Sequence, residues 1–171
     1  YGLNNQMRET LQKVQQVAPE EPLVYIQMAS YYLLEKDTAA YFNEYDRLLN
    51  NENITCEVKF NALENFANEA TRFTTDSVVI IDYYRKLVEL YPYELAPRDS
   101  YALMLIYTQR LDEACKQLSI IAEQSDKNGQ VWEQIMTICI DLGKFTDAID
   151  AGRKAIEAGR KECSTYVYLS N

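Results

Sequence analysis

The chain has 171 residues, 47% of them apolar, with a net charge of −9 and no histidine. That length and apolar share suit one folded domain or one continuous repeat array rather than a disordered chain. The missing histidines remove the commonest general base and most zinc sites, and an acidic chain without a basic stripe is a poor match for nucleic-acid phosphates.

Five glycines and four prolines are few for a loop-rich β protein and natural for long helices. Fourteen tyrosines against five phenylalanines suit half-buried faces and binding surfaces, because tyrosine joins an apolar body to a polar tip. No apolar run approaches the roughly 20 residues needed to span a bilayer, so direct membrane insertion is not expected. Cys56, Cys115, Cys139 and Cys163 form no C-x-x-C pair and are expected to be reduced thiols, which leans toward a cytoplasmic setting. The chain starts at Tyr1 without a signal peptide and reads as a segment of a longer protein, which leaves localisation open.

In chain order, Met7, Leu11 and Val14 keep helical spacing up to Pro19. Pro22 suits a first helical turn, and Tyr25, Ala29 and Tyr32 follow it, then Tyr45 and Leu48. Asn53-Ile54-Thr55 matches a glycosylation acceptor, a motif common by chance. Asp76-Ser77 offers cap chemistry before Ile80, Tyr84 and Leu87. Pro97 suits another first turn, and Asp112 and Thr146-Asp147 are read as caps of later helices. Gly152 falls inside a helix and weakens it by about 1 kcal/mol relative to alanine; Gly159 suits a helix C-terminus.

The clearest unit is Val131-Trp132-Glu133-Gln134-Ile135, then Asp141-Leu142-Gly143-Lys144-Phe145-Thr146-Asp147-Ala148-Ile149, then Lys154-Ala155-Ile156. It resembles the tetratricopeptide repeat, with an aromatic at position 4, Leu-Gly-Lys at the turn, and alanine at positions 20 and 27. Steps of 34 residues place earlier units at Leu95 and Asn61, and a further unit begins at Pro22 with five extra residues near Cys56 to Phe60. The resemblance therefore implies an all-α, right-handed superhelical α-solenoid of antiparallel hairpins along residues 1–171. Residues 1–21 would be the second helix of a truncated unit. Four units would follow over 22–60, 61–94, 95–128 and 129–162, with the start of another at 163–171.

Several positions depart from the family pattern. Glu64 and Arg98 replace the aromatic at position 4, and Tyr41 and Ile80 replace alanine at position 20. Positions 8 and 20 face each other where hairpin helices cross, and they trade volume: Ala29 with Tyr41, Asn68 with Ile80, Ala102 with Ala114, and Met136 with Ala148.

In the family, first helices line a groove. Carried over residue by residue, that groove holds Ile26, Ser30 and Leu33, then Asn65, Phe66, Glu69, Arg72 and Phe73, then Asp99, Leu103 and Tyr107, then Glu133, Thr137 and Asp141. Mixed apolar anchors and carboxylates suit a protein or peptide partner with apolar and basic side chains. Phe66, Phe73 and Tyr107 either line this groove or pack between helices, since a shift of one residue turns them inward. The Lys and Asn pattern with which the family grips a C-terminal carboxylate is absent: position 5 is Ile26, Asn65, Asp99 and Glu133.

The resemblance implies a non-catalytic binding scaffold with no catalytic residues, no metal site and no cofactor. The alternative is an architectural segment whose groove is filled by its own flanking chain, with self-association through exposed repeat ends also open. Carboxylate pairs such as Asp82 and Glu89 read as solvated helix charge rather than acid–base machinery.

Overall fold

The computed structural model describes the backbone of residues 2–73, 77–125 and 129–159, and the side chains of residues 6–67, 78–125 and 129–159. Among these residues the chain is all-α. Its helices are α1 (Gly2–Val17), α2 (Pro22–Leu34), α3 (Thr38–Asn50), α4 (Cys56–Phe73), α5 (Ser77–Leu90), α6 (Leu95–Tyr107), α7 (Leu111–Gln124), α8 (Gly129–Asp141) and α9 (Phe145–Glu157). They fall into two compact units, Tyr1–Thr75 and Asp76–Asn171. In the first, α2 packs against α1, α3 and α4; in the second, α5 to α9 each pack on the next helix in sequence.

Three turns share one mechanism. After α2, α6 and α8 a residue enters the left-handed region: Lys36 at φ 61°, Gln109 at φ 60° and Gly143 at φ 70°. The next residue then donates its N–H back across five residues, Asp37 to the Tyr32 carbonyl at 2.9 Å, Arg110 to Leu105 at 2.8 Å and Lys144 to Cys139 at 2.8 Å. This is a Schellman closure, which satisfies a carbonyl that the helix end would leave open. Gln109 and Gly143 stand one repeat apart.

Pro22 opens α2 as its composition suggests, and the Glu21 side chain accepts from the Leu23 N–H. Asp37 caps α3 by accepting from the Ala40 N–H at 3.0 Å. The expected caps at Asp112 and Thr146-Asp147 are corrected. The cap residues of α7 and α9 are Arg110 and Lys144, which make no side-chain cap bond, and Asp112 and Asp147 lie in the first turn. There a carboxylate meets the positive end of the helix dipole rather than a specific N–H. The expected cap at Asp76-Ser77 lies outside the described side chains. Gly159, at φ 93°, follows the C-cap Ala158.

The hairpin crossings are buried. Ala29 and Tyr41 in the first unit, and Ala102, Ala114, Met136 and Ala148 in the second, are all buried, with Ala102 and Ala114 at 0% exposure. The Asn68 half of its pair with Ile80 lies outside the described side chains. An aromatic group of Tyr41, Phe42, Tyr45 and Phe66 fills the space between α3 and α4, with Tyr45 and Phe66 ring centres 4.6 Å apart. Charged Glu44 is buried with them, where it accepts from Gln15 of α1 at 3.1 Å and from Arg47 at 2.9 Å.

The turns and crossings make stability predictions. Lys36→Gly and Gln109→Gly should each stabilise the protein by about 1 kcal/mol in urea unfolding, because glycine enters the left-handed region without steric cost. Gly143→Ala should destabilise by a similar amount through the backbone alone, since a Cβ there meets nothing within 4 Å. Ala102→Leu should overpack the α6–α7 crossing and cost about 1–3 kcal/mol; an unchanged melting temperature would contradict the crossing.

Candidate functional site

The residues proposed for the groove fall on first helices, and each unit places its own share of them. In the first unit, Ile26, Ser30 and Leu33 are half-buried along α2, and Asn65 is exposed on α4. Phe66 is instead 1% exposed, inside the aromatic group with Tyr41, Phe42 and Tyr45. The cause is the phase of α4. Its buried stripe runs Lys59, Ala62, Leu63, Phe66, one residue earlier than a strict repeat spacing places it, and that shift turns Phe66 inward. Of the two roles open to Phe66, the structure takes packing. Glu69, Arg72 and Phe73 lie outside the described side chains.

In the second unit α6 carries a row one helical turn apart, Asp99, Leu103 and Tyr107, all exposed, with Leu103 at 53% and Tyr107 at 78%. On α8, Thr137 and Asp141 are exposed and Glu133 is half-buried. Thr137 turns its hydroxyl back to the Glu133 carbonyl at 3.0 Å. Both helices pack on α7. Leu103 and Tyr107 are two of several large apolar side chains exposed among the described residues.

No protein-family model matches the sequence, and no curated protein is significantly similar to it. Solved structures are similar over nearly the whole chain. YrrB, a protein described with an unusual peptide-binding site, is 14% identical with a TM-score of 0.53, over 98% of this chain and 85% of its own. MamA of Desulfovibrio magneticus RS-1 is 13% identical with a TM-score of 0.54, over 86% and 81%. PilF of Pseudomonas aeruginosa is 14% identical with a TM-score of 0.50, over 98% and 74%. The fold is that of tetratricopeptide-repeat proteins.

In tetratricopeptide terms the anomalous Arg98 has a clear role. Tyr25, at position 4 of its repeat, donates its hydroxyl to the carbonyl of Pro19 at 2.6 Å. Arg98, at the same position, donates to the carbonyl of Pro92 at 2.8 Å, also six residues back. Each anchor has a partner from farther along: Asn51 donates to the Tyr25 hydroxyl at 3.1 Å, and Arg98 donates to the Gln117 carbonyl oxygen at 2.6 Å. Arg98 is buried, its Nε has no partner, and burial lowers its pKa. It thus takes over a tyrosine's hydrogen bond at the cost of desolvating a charge.

A second feature of this helical array was not seen in the sequence. Helices α7, α8 and α9 enclose a cleft of about 310 Å3, lined by Asp112, Cys115, Trp132, Cys139, Lys144 and Asp147 among others. Lys144, in the α8–α9 turn, donates to Asp112 of α7, and this bond first of all raises the Lys144 pKa. Lys154 lies 4.1 Å over the Trp132 ring, a cation–π contact. Burial, and then the neighbouring Cys139, push the Cys115 thiol up to about 12. Burial also raises Cys139. Neither forms a disulfide, nor does Cys56; Cys163 lies outside the described residues. None of the groove residues lines this cleft.

Truncation distinguishes the two kinds of aromatic. Phe66→Ala should cost about 3–5 kcal/mol, as for a buried core aromatic. Tyr107→Ala should stay within about 0.5 kcal/mol, as for an exposed side chain. Urea unfolding of the two variants checks both values.

Proposed function

We propose that the protein is a non-catalytic scaffold that binds a protein or peptide along the outward faces of its first helices. The observation that carries this reading is the α6 row, where Leu103 and Tyr107 stand in solvent next to Asp99. Exposed apolar anchors supply contact area, and nearby carboxylates favour a ligand with basic side chains and repel a free carboxylate. Ile26, Ser30, Leu33, Asn65, Glu133, Thr137 and Asp141 extend the same kind of face on other first helices. No helix among the described residues is long and apolar enough to cross a membrane, so the partner is sought among peptides and proteins. Peptide binding by YrrB belongs to the same fold and supports the reading by analogy.

Selection from a random peptide library, followed by calorimetry on synthetic copies, tests the proposal. Enriched peptides should pair apolar residues with Lys or Arg. The double variant Leu103→Lys/Tyr107→Ala should weaken their binding by at least about tenfold, or roughly 1.4 kcal/mol, with an unchanged circular-dichroism melt. Enrichment of acidic peptides, or binding that survives the double variant, would contradict it.

A further inference from the structure

Cys115 of α7 and Cys139 of α8 share the floor of the cleft described above. Their helices pack directly on one another. Cys115 packs against the apolar cluster that contains Cys139, and each thiol bears on the ionisation of the other. The cleft opens to solvent beside exposed Asp112 and Lys144, so a small reagent has a route to the sulfurs. Cys115 itself is only half-buried. Core cysteines used only as small apolar groups have no need of this juxtaposition or this access.

We propose that Cys115 and Cys139 are a reversible modification site, oxidised to an intramolecular disulfide by low-molecular-weight disulfides of the glutathione class. The chemistry is two successive thiol–disulfide exchanges. One cysteine of the pair, as thiolate, attacks a sulfur of glutathione disulfide. A protein–glutathione mixed disulfide forms, and one glutathione leaves and takes up a proton. The second cysteine then loses its proton and attacks the protein sulfur of the mixed disulfide. The Cys115–Cys139 bond forms and the second glutathione leaves with the other proton. The protein loses two protons and two electrons, and glutathione disulfide gains them.

The raised thiol pKa values make the first exchange slow at neutral pH, because little thiolate is present. The second exchange is intramolecular, between cysteines that line one cleft on packed helices, so the mixed disulfide does not accumulate. The product ties the second helix of one hairpin to the first helix of the next. Since no groove residue lines the cleft, this proposal stands or falls independently of the peptide reading.

The test uses the full chain with Cys56→Ser and Cys163→Ser, which leaves only the pair. The folded protein is incubated with glutathione disulfide at several pH values, quenched in acid, alkylated, digested and mapped by mass spectrometry. The expected product is a cross-linked peptide pair holding Cys115 and Cys139, with a mass loss of two hydrogens. It should form faster as pH rises and reverse fully with excess reduced glutathione. Two results would overturn the proposal. One is a stable glutathione adduct on a single cysteine. The other is no oxidation of the folded protein under conditions that fully oxidise it in urea. A Cys139→Ser variant whose Cys115 accumulates the mixed disulfide would identify Cys139 as the resolving partner, and its failure to accumulate any adduct would count against the two-step route.

Discussion

The hydrogen bond that reaches back five residues at the ends of α2, α6 and α8 sets the geometry of the hairpins that these helices open. It forms only when one residue turns left-handed, and it then reverses the chain within a few residues, so the next helix lies against the face just completed. The described turns at Lys36, Gln109 and Gly143 all adopt it, although two of the three carry a side chain that pays for the left-handed backbone. Tertiary packing of the two helices outweighs that local strain, as expected where most helical stability comes from burial rather than propensity. Ala102 of α6 and Ala114 of α7, both fully buried, lie on helices that the same kind of closure folds against each other.

A second recurring device fixes how one hairpin meets the next. A donor at position 4 reaches the carbonyl of the proline that ends the preceding helix pair. Tyr25 does this with a phenol and Arg98 with a guanidinium, at nearly the same distance. What the fold requires there is a long side chain with a donor at its tip, and aromaticity is one way to meet it. The guanidinium brings a charge into a buried place with a neutral amide as its companion, which costs more than a phenol would.

Much of this was legible in the residues, and the failures have physical causes. Helix-spaced apolar residues, Pro22 and the Leu142-Gly143-Lys144 turn mark elements that the structure contains. The left-handed turns at Lys36 and Gln109 carried no such mark, because a residue strained into that region by packing looks ordinary in the sequence. The sequence left Phe66 between two roles, and packing wins because α4 begins early, at Cys56, and its buried stripe is displaced by one residue, which moves a side chain from one face of a helix toward the other. The cleft between α7 and α9 was invisible because its walls come from residues about a repeat apart, and only the folded stack brings Asp112 to Lys144. Of the groove residues, Leu103 and Tyr107 are exposed on α6, while Glu69, Arg72 and Phe73 lie outside the described side chains.

The chain has a single tryptophan, Trp132, placed on α8 beneath Lys154 of α9. In an array where each repeat contacts only its neighbours, separate parts can open at different free energies. Intrinsic fluorescence therefore watches one hairpin near one end of the chain, and a lost cation contact is enough to change it. A melt followed by that signal reports the fraying of α8 and α9, whereas circular dichroism averages over every helix. Two curves that fail to superimpose would be the natural behaviour of this molecule, and two-state stabilities drawn from either signal alone would describe different parts of it.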